Sequence, residues 1–252
     1  MGLLLSAAPF LTESLRFKQD HIYQRPRANV VCKFWSNSLY ATPLDVVYSS
    51  LYTKMVRDFL QERAYPAAIA GFEFSFTSDV DGIDLHLSGY DNGLSSFTAE
   101  IAKYLVMSYP KSDPNDKSAT VGFIPNRSRF QVIKEELAQS YRNFMYGQPH
   151  VHSAYSMSLL MEEPHWHLSE YMSALRDVEM EDVISWSKNM WHDVALECFA
   201  HGNIYRKEAL HIVRALTDSI TFRSNVEAIR TMSSQGTCFF LLFFLLCNIH
   251  LI

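Results

Sequence analysis

Two short runs set the period of the chain's first half. In "FEFSFT", Phe72, Phe74 and Phe76 alternate with Glu73, Ser75 and Thr77, and in "IDLHLS", Ile83, Leu85 and Leu87 alternate with Asp84, His86 and Ser88. Period-two alternation on both sides of the turn "SDVDG" predicts an antiparallel hairpin with one buried face, leaving His86 on the polar, solvent-facing side. "NVVCKFW" (29–35) and "VALECFAHGN" (194–203) are apolar runs of strand length, and Gly202 and Asn203 turn the chain after the second.

Elsewhere the period is helical. Leu44, Val47, Leu51 and Met55 form a stripe behind Pro43, whose fixed φ suits a first turn, and this predicts a helix over 43–62. Leu94, Phe97, Ile101 and Leu105 repeat the spacing, as do Phe130, Ile133, Leu137, Tyr141 and Phe144, and then Ala209, Val213, Leu216 and Ile220. Such stripes are core faces. The Pro-, Ser- and Asp-rich stretch 109–126 reads as a long loop within one domain, because the elements on both sides share one pattern. A hairpin, further strands and about six helices predict an α+β fold, an antiparallel sheet with helices packed on one face, without internal repeats.

Charge and cysteines narrow the function classes. The net charge of −5 argues against a nucleic-acid partner, and "RPR" and "NRSR" are too small to reverse that. Cys32 and Cys198 sit in strand-like runs, and Cys238 and Cys247 in an apolar tail. With no CxxC pair, neither a disulfide framework nor a cysteine-rich zinc site is indicated, and a reducing, cytoplasmic compartment is the simpler expectation. The sequon at Asn126 is then not expected to be glycosylated. "MGLLLS" fits the permissive myristoylation pattern, with Gly2 as acceptor and Ser6 in place, but makes a poor secretory signal. The run "CFFLLFFLLC" (238–247) with "NIHLI" spans roughly 22 Å as a helix, short of a bilayer core, so a tail anchor is the lesser reading beside a non-native, aggregation-prone terminus.

The candidate chemistry lies in "GQPHVHSAYSMSLLMEEPHWH" (147–167), which holds four of the ten histidines as two His-x-His pairs. On a strand such a pair shares a face and can hold a metal; on a helix the two side chains point about 200° apart. His150 and His152 follow Pro149, and Val151, Ala154, Tyr155 and Leu159 continue at helical spacing, so that pair diverges. His165 and His167 follow Pro164 near the start of another helix, and the same objection applies. Glu162 and Glu163 would contribute only from an irregular loop. HExxH, HxxEH, G-x-S-x-G and phosphate-loop motifs are absent. His201 could serve as a base, but a strand-end position is more simply a partly exposed one. No catalytic, metal-binding or substrate-binding residue is therefore assigned.

The order of segments carries more than any single motif. "LRFKQDHIYQRPRANV", "AYPAAIAGFEFSF", "LHLSGYDN", "RFQVIKEELAQSYRNFMYGQPHVHSAYSMSLLM" and "LECFAHGNI" with "KEAL" resemble, in that order, the third, middle domain of the insulysin (insulin-degrading enzyme) and pitrilysin-type zinc metallopeptidases. "NFMYGQPHVHSAY" and "FAHGNI" are the most diagnostic. The resemblance runs from about Leu15 to Phe222. It implies one pitrilysin-type domain over 15–230, flanked by an atypical extension, 1–14, and the hydrophobic tail, 231–252. It further implies a non-catalytic piece of a zinc metalloendopeptidase that walls a peptide-enclosing chamber. Its partners would be the remaining domains, with peptide substrate only in that context. The family's zinc motif lies on a helix of its first domain. The matching helix here, 43–62, holds no histidine, so no cofactor is expected in this chain and no catalytic residue carries over. The loop 109–126 is longer than the family's usual one. The alternative is an interaction module tethered to membrane by its tail or by Gly2.

Overall fold

The computed structural model describes residues 13–80, 82–107, 122–162, 165–192 and 194–220. The N-terminal extension with Gly2, most of the loop 109–126, Glu163, Pro164 and the tail with Cys238 and Cys247 lie outside the described residues.

The sheet is assembled from distant parts of the chain. β1 (Glu13–Gln19), β2 (Arg27–Trp35), β3 (Glu73–Ser78), β4 (Gly82–Tyr90) and β5 (Ala195–Gly202) form one sheet in the order β1-β5-β2-β4-β3. The β3–β4 hairpin forms as its alternation predicts, with Phe76 opposite Leu85 and Phe74 opposite Leu87. Three of the four pairings are antiparallel, but β1 runs parallel to β5, so the sheet is mixed and mostly antiparallel. β5 enters between β1 and β2, which makes the run 194–203 a central strand.

Seven helices are described: α1 (Pro43–Ile69), α2 (Asp91–Ala102), α3 (Arg127–Phe144), α4 (Pro149–Met161), α5 (Leu168–Arg176), α6 (Met180–His192) and α7 (Arg206–Ser219). In α1, Pro43 occupies the first turn and the Thr42 side chain caps it, accepting from the Asp45 N–H at 3.2 Å. The helix does not stop at Glu62 as its apolar stripe suggested. It runs on to Ile69 through Pro66, whose carbonyl still accepts from the Ala70 N–H, and Gly71 at φ +86° then turns the chain.

One core joins these layers. Ala28, Val30, Cys32 and Phe34 of β2, Ile83, Leu85 and Leu87 of β4, and Leu196, Cys198 and Ala200 of β5 are buried on one sheet face. Val47, Leu51 and Met55 of α1 meet them, together with the stripes of α2 and α7. Leu44, expected in the α1 stripe, is instead 37% exposed at the helix start. Tyr52, at full burial, donates to the Leu105 carbonyl and accepts from Trp191 Nε1 at 2.8 Å, so its hydroxyl is satisfied inside the core.

The cysteines overturn a sequence expectation. Cys32 and Cys198 are direct cross-strand partners in the β2–β5 register, with Cα atoms 4.1 Å apart, and they are joined as a disulfide. The spacing of 166 residues carries no local motif, so only the strand pairing reveals the bond.

Candidate functional site

The sheet has a second face, and its residues can be read off the register. Three rows cross the five strands. Lys18, His201, Asn29, Ser88 and Glu73 form the first; Arg16, Phe199, Val31, His86 and Ser75 the second; Ser14, Glu197, Lys33, Asp84 and Thr77 the third. Every one of these side chains keeps some solvent exposure except Lys33. Side chains alternate across a pleated strand, so the burial of the other face by helices leaves this one as the domain's broad open surface.

Its chemistry is mixed and largely self-satisfied. Arg16 pairs with Glu197 at 2.9 Å, and the buried Lys33 ammonium sits 4.5 Å above the Trp35 ring and 3.8 Å from Asp79. Phe199 and His201 lie with ring centres 5.3 Å apart. Burial lowers the pKa of His201, and the neighbouring charges of His86 and Lys18 act in the same direction. His86 also has a lowered value through desolvation, although its side chain reaches solvent as the alternation predicts. Both rings therefore favour the neutral form, and the face offers hydrogen-bonding and aromatic groups without a strong field of either sign.

The four histidines of 147–167 fall in two different settings. His150 and His152 lie on α4, as predicted, and diverge: His150 is exposed, while His152 packs edge-on against Phe144 at 5.1 Å. His165 and His167 do not lie in a helix, which corrects the reading of the second pair. They occupy the segment before α5 and are engaged separately. His165 Nδ1 meets Glu162 at 3.0 Å, and His167 caps α5, accepting from the Ser169 N–H at 3.2 Å while Glu170 accepts from the His167 N–H at 2.7 Å. Tyr155 lies between them, 6.0 and 6.1 Å from the two rings. The stretch is thus an aromatic and capping junction from α3 to α5. Among the described residues, no three His, Cys, Asp or Glu side chains come together as a metal-holding group, and α1 contains no histidine.

Beside this junction lies a tyrosine cluster that sequence reading missed. Tyr40 and Tyr171 share a hydrogen bond of 3.0 Å, and Tyr141 stacks on Tyr171 at 6.1 Å. Burial pushes the Tyr141 hydroxyl up to about 12 and raises Tyr171 and Tyr40 in the same direction. These hydroxyls stay protonated at neutral pH and act as structural donors. Tyr141 stood in the predicted α3 stripe, but its partners are Tyr171 on α5 and Ser50 on α1, which periodicity cannot connect.

The architecture is that of an α+β domain of pitrilysin type. The crystal structure of pitrilysin superposes on 89% of this chain with a TM-score of 0.75 at 12% identity, using 22% of its own length. Residues 12–174 match the middle or third domain of peptidase M16. Human insulin-degrading enzyme is 31% identical over 206 residues, 82% of this chain and 19% of that protein. The peroxisomal insulin-degrading enzyme-like 1 of Arabidopsis thaliana is 27% identical over 216 residues, 86% of this chain and 20% of that protein. The chain belongs to the M16 peptidase family, as its middle domain. It spans about a fifth of the length of the curated relatives it matches.

Proposed function

We propose that this chain is a non-catalytic wall domain of an insulysin-like zinc metalloendopeptidase, one unit over about 15–230 with distinct flanks, acting on peptides only beside its partner domains. The observation that carries this reading is the asymmetry of the sheet: one face sealed by helices, the other an open lattice of polar and aromatic side chains. Such a face suits transient contact with unfolded peptides of varied sequence. It has donors and acceptors in each row, rings at Trp35, Phe199 and His201, and nearly balanced charge, so no single side chain type is demanded. The helical side would serve packing against neighbouring domains. The helix that matches the family's zinc-bearing one, α1, lacks the imidazoles that bind zinc and keeps only the packing role. The zinc would be held by another domain.

A chimera tests this. Human insulin-degrading enzyme with its middle domain replaced by residues 13–220 should retain chelator-sensitive peptide cleavage. The isolated chain should hold no stoichiometric zinc and cleave nothing. Stoichiometric zinc with chelator-sensitive hydrolysis by the chain alone would overturn the reading.

A further inference from the structure

The first row of the open face differs from the other two in how its charge is placed. Arg16 of the second row and Glu197 of the third hold each other at 2.9 Å, Lys33 of the third lies 3.8 Å from Asp79, and Asp84 also has a partner. The first row runs Lys18, His201, Asn29, Ser88 and Glu73, each the direct register partner of the next. Its two charged side chains stand at opposite ends, on the edge strands β1 and β3, and both are exposed. Neither has an ion-pair or hydrogen-bond partner among the described residues. They are the face's unspent charges.

Between them lie an imidazole, an amide and a hydroxyl, each able to donate and to accept. The imidazole, His201, favours its neutral form, through burial first and then through His86 and Lys18. Half-buried Phe199 and Val31 of the second row add apolar surface alongside. Neighbouring strands lie about 4.8 Å apart, so four steps separate Lys18 from Glu73 by about 19 Å. Sheet twist turns this lane without interrupting it. An extended chain advances about 3.3 Å per residue, so about six residues fill the lane. The end charges then fix both the ligand and its direction. A carboxylate belongs over Lys18 and an ammonium over Glu73, and the reverse direction would set like charges together at both ends. A short peptide carries this pair in its own termini whatever its side chains, which suits a face that meets varied sequences.

We propose that this row is a directional seat for free peptides of about six residues, with the C-terminal carboxylate over Lys18 and the N-terminal ammonium over Glu73. The proposal rests on the reading of the open face as a peptide contact. It narrows that contact to short peptides with both termini free, the product class of an endopeptidase.

The nitrogen-15-labelled full chain provides the test, titrated with a hexapeptide of Ala, Ser and Tyr while the amides of Lys18, Asn29, Ser88, Glu73 and His201 are followed. Acetylating its N-terminus or amidating its C-terminus should each raise the half-saturating concentration about two- to fivefold, the range of an exposed ion pair. Blocking both ends should raise it about tenfold. A tripeptide with free ends, roughly 10 Å long, should bind as weakly as the doubly blocked hexapeptide. In Lys18→Glu the preference should invert, with the C-terminal amide bound more tightly than the free carboxylate. Glu73→Gln should lose sensitivity to acetylation and keep sensitivity to amidation. Equal half-saturation by all the hexapeptides at these five residues would overturn the seat and leave the open-face contact standing. A Lys18→Glu chain that still prefers the free carboxylate would overturn it too. If no peptide shifts an amide of the sheet face, the seat and the peptide contact both fail.

Discussion

The central sheet and helix α4 draw on similar apolar residues and end in opposite states. Cys32, Phe34, Leu85 and Cys198 on the sheet have no solvent exposure, while Leu160 and Met161 on α4 are mostly in water. The difference is one of partners. Each strand residue is fixed by a register that brings a second apolar side chain opposite it and a helix above it. The residues of α4 are met only through a few half-covered side chains, His152 and Tyr155 against Phe144 and Tyr155 against the rings of His165 and His167. Apolar content sets what an element could bury, and tertiary neighbours decide whether it does.

The sharpest way to break the comparison is to untie the sheet. The Cys32–Cys198 bond closes a loop of 166 residues, and the loss of loop-closure entropy corresponds to roughly 5 kcal/mol in the chain-entropy model. Reduction, or the double replacement Cys32→Ala and Cys198→Ala, should lower unfolding free energy by an amount approaching that, measured by urea titration. Peptide mapping of the unreduced chain should recover the two cysteines as one linked pair. Separate peptides would mean that the two thiols merely touch. The next largest effect compares two identical deletions. Leu51→Ala removes a side chain with no exposure and should cost about 2–5 kcal/mol, whereas Leu160→Ala should cost less than about 1 kcal/mol. Equal costs would place α4 in the core and undo the contrast.

The sequence showed the sheet core more clearly than the site because its signals are local. Phe74, Phe76, Leu85 and Leu87 announce a hairpin within twenty residues, and the stripes of α2 and α7 are buried as their spacing predicts. The stripe Val151, Ala154, Tyr155, Leu159 has the same spacing, but a periodic pattern does not say whether anything packs against it. Two other features depend on distant pairing: the parallel β1–β5 contact and the opposition of Cys32 and Cys198 arise because β5 returns between β1 and β2. The open lattice is of the same kind. Its residues come from five strands, and no motif connects Lys18 with Glu73. The second histidine pair was misread for a different reason: His167 is the cap of α5, and a capping residue lies just outside the helix it starts.

Smaller effects refine the picture at single side chains. Thr42→Ala removes the hydroxyl that accepts from the Asp45 N–H and should cost about 1 kcal/mol in urea titration, with α1 still formed because its buried stripe remains. A cost of several kcal/mol would mean that the cap organises more than the first turn.

The smallest effect concerns His201 on the open face, and its sign follows from burial. Desolvation holds the folded-state pKa of His201 below the ordinary 6.5, and His86 and Lys18 lower it further. Above pH 6.5 both folded and unfolded chains carry the neutral ring, so it adds no pH dependence there. As pH falls through 6.5 the unfolded chain takes up the proton first, and unfolding is favoured until the pH passes below the folded value. Stability should therefore decline on acidification below 6.5, and His201→Asn should flatten part of that decline while leaving stability at pH 8 nearly unchanged. His86 shares the direction of shift and should account for part of the remaining slope, so the double variant with His86→Asn should be flatter still. If His201→Asn leaves the acid slope untouched, the ring is as hydrated as in the unfolded chain. The open face would then be wetter at its β5 edge than the half-buried position of His201 implies.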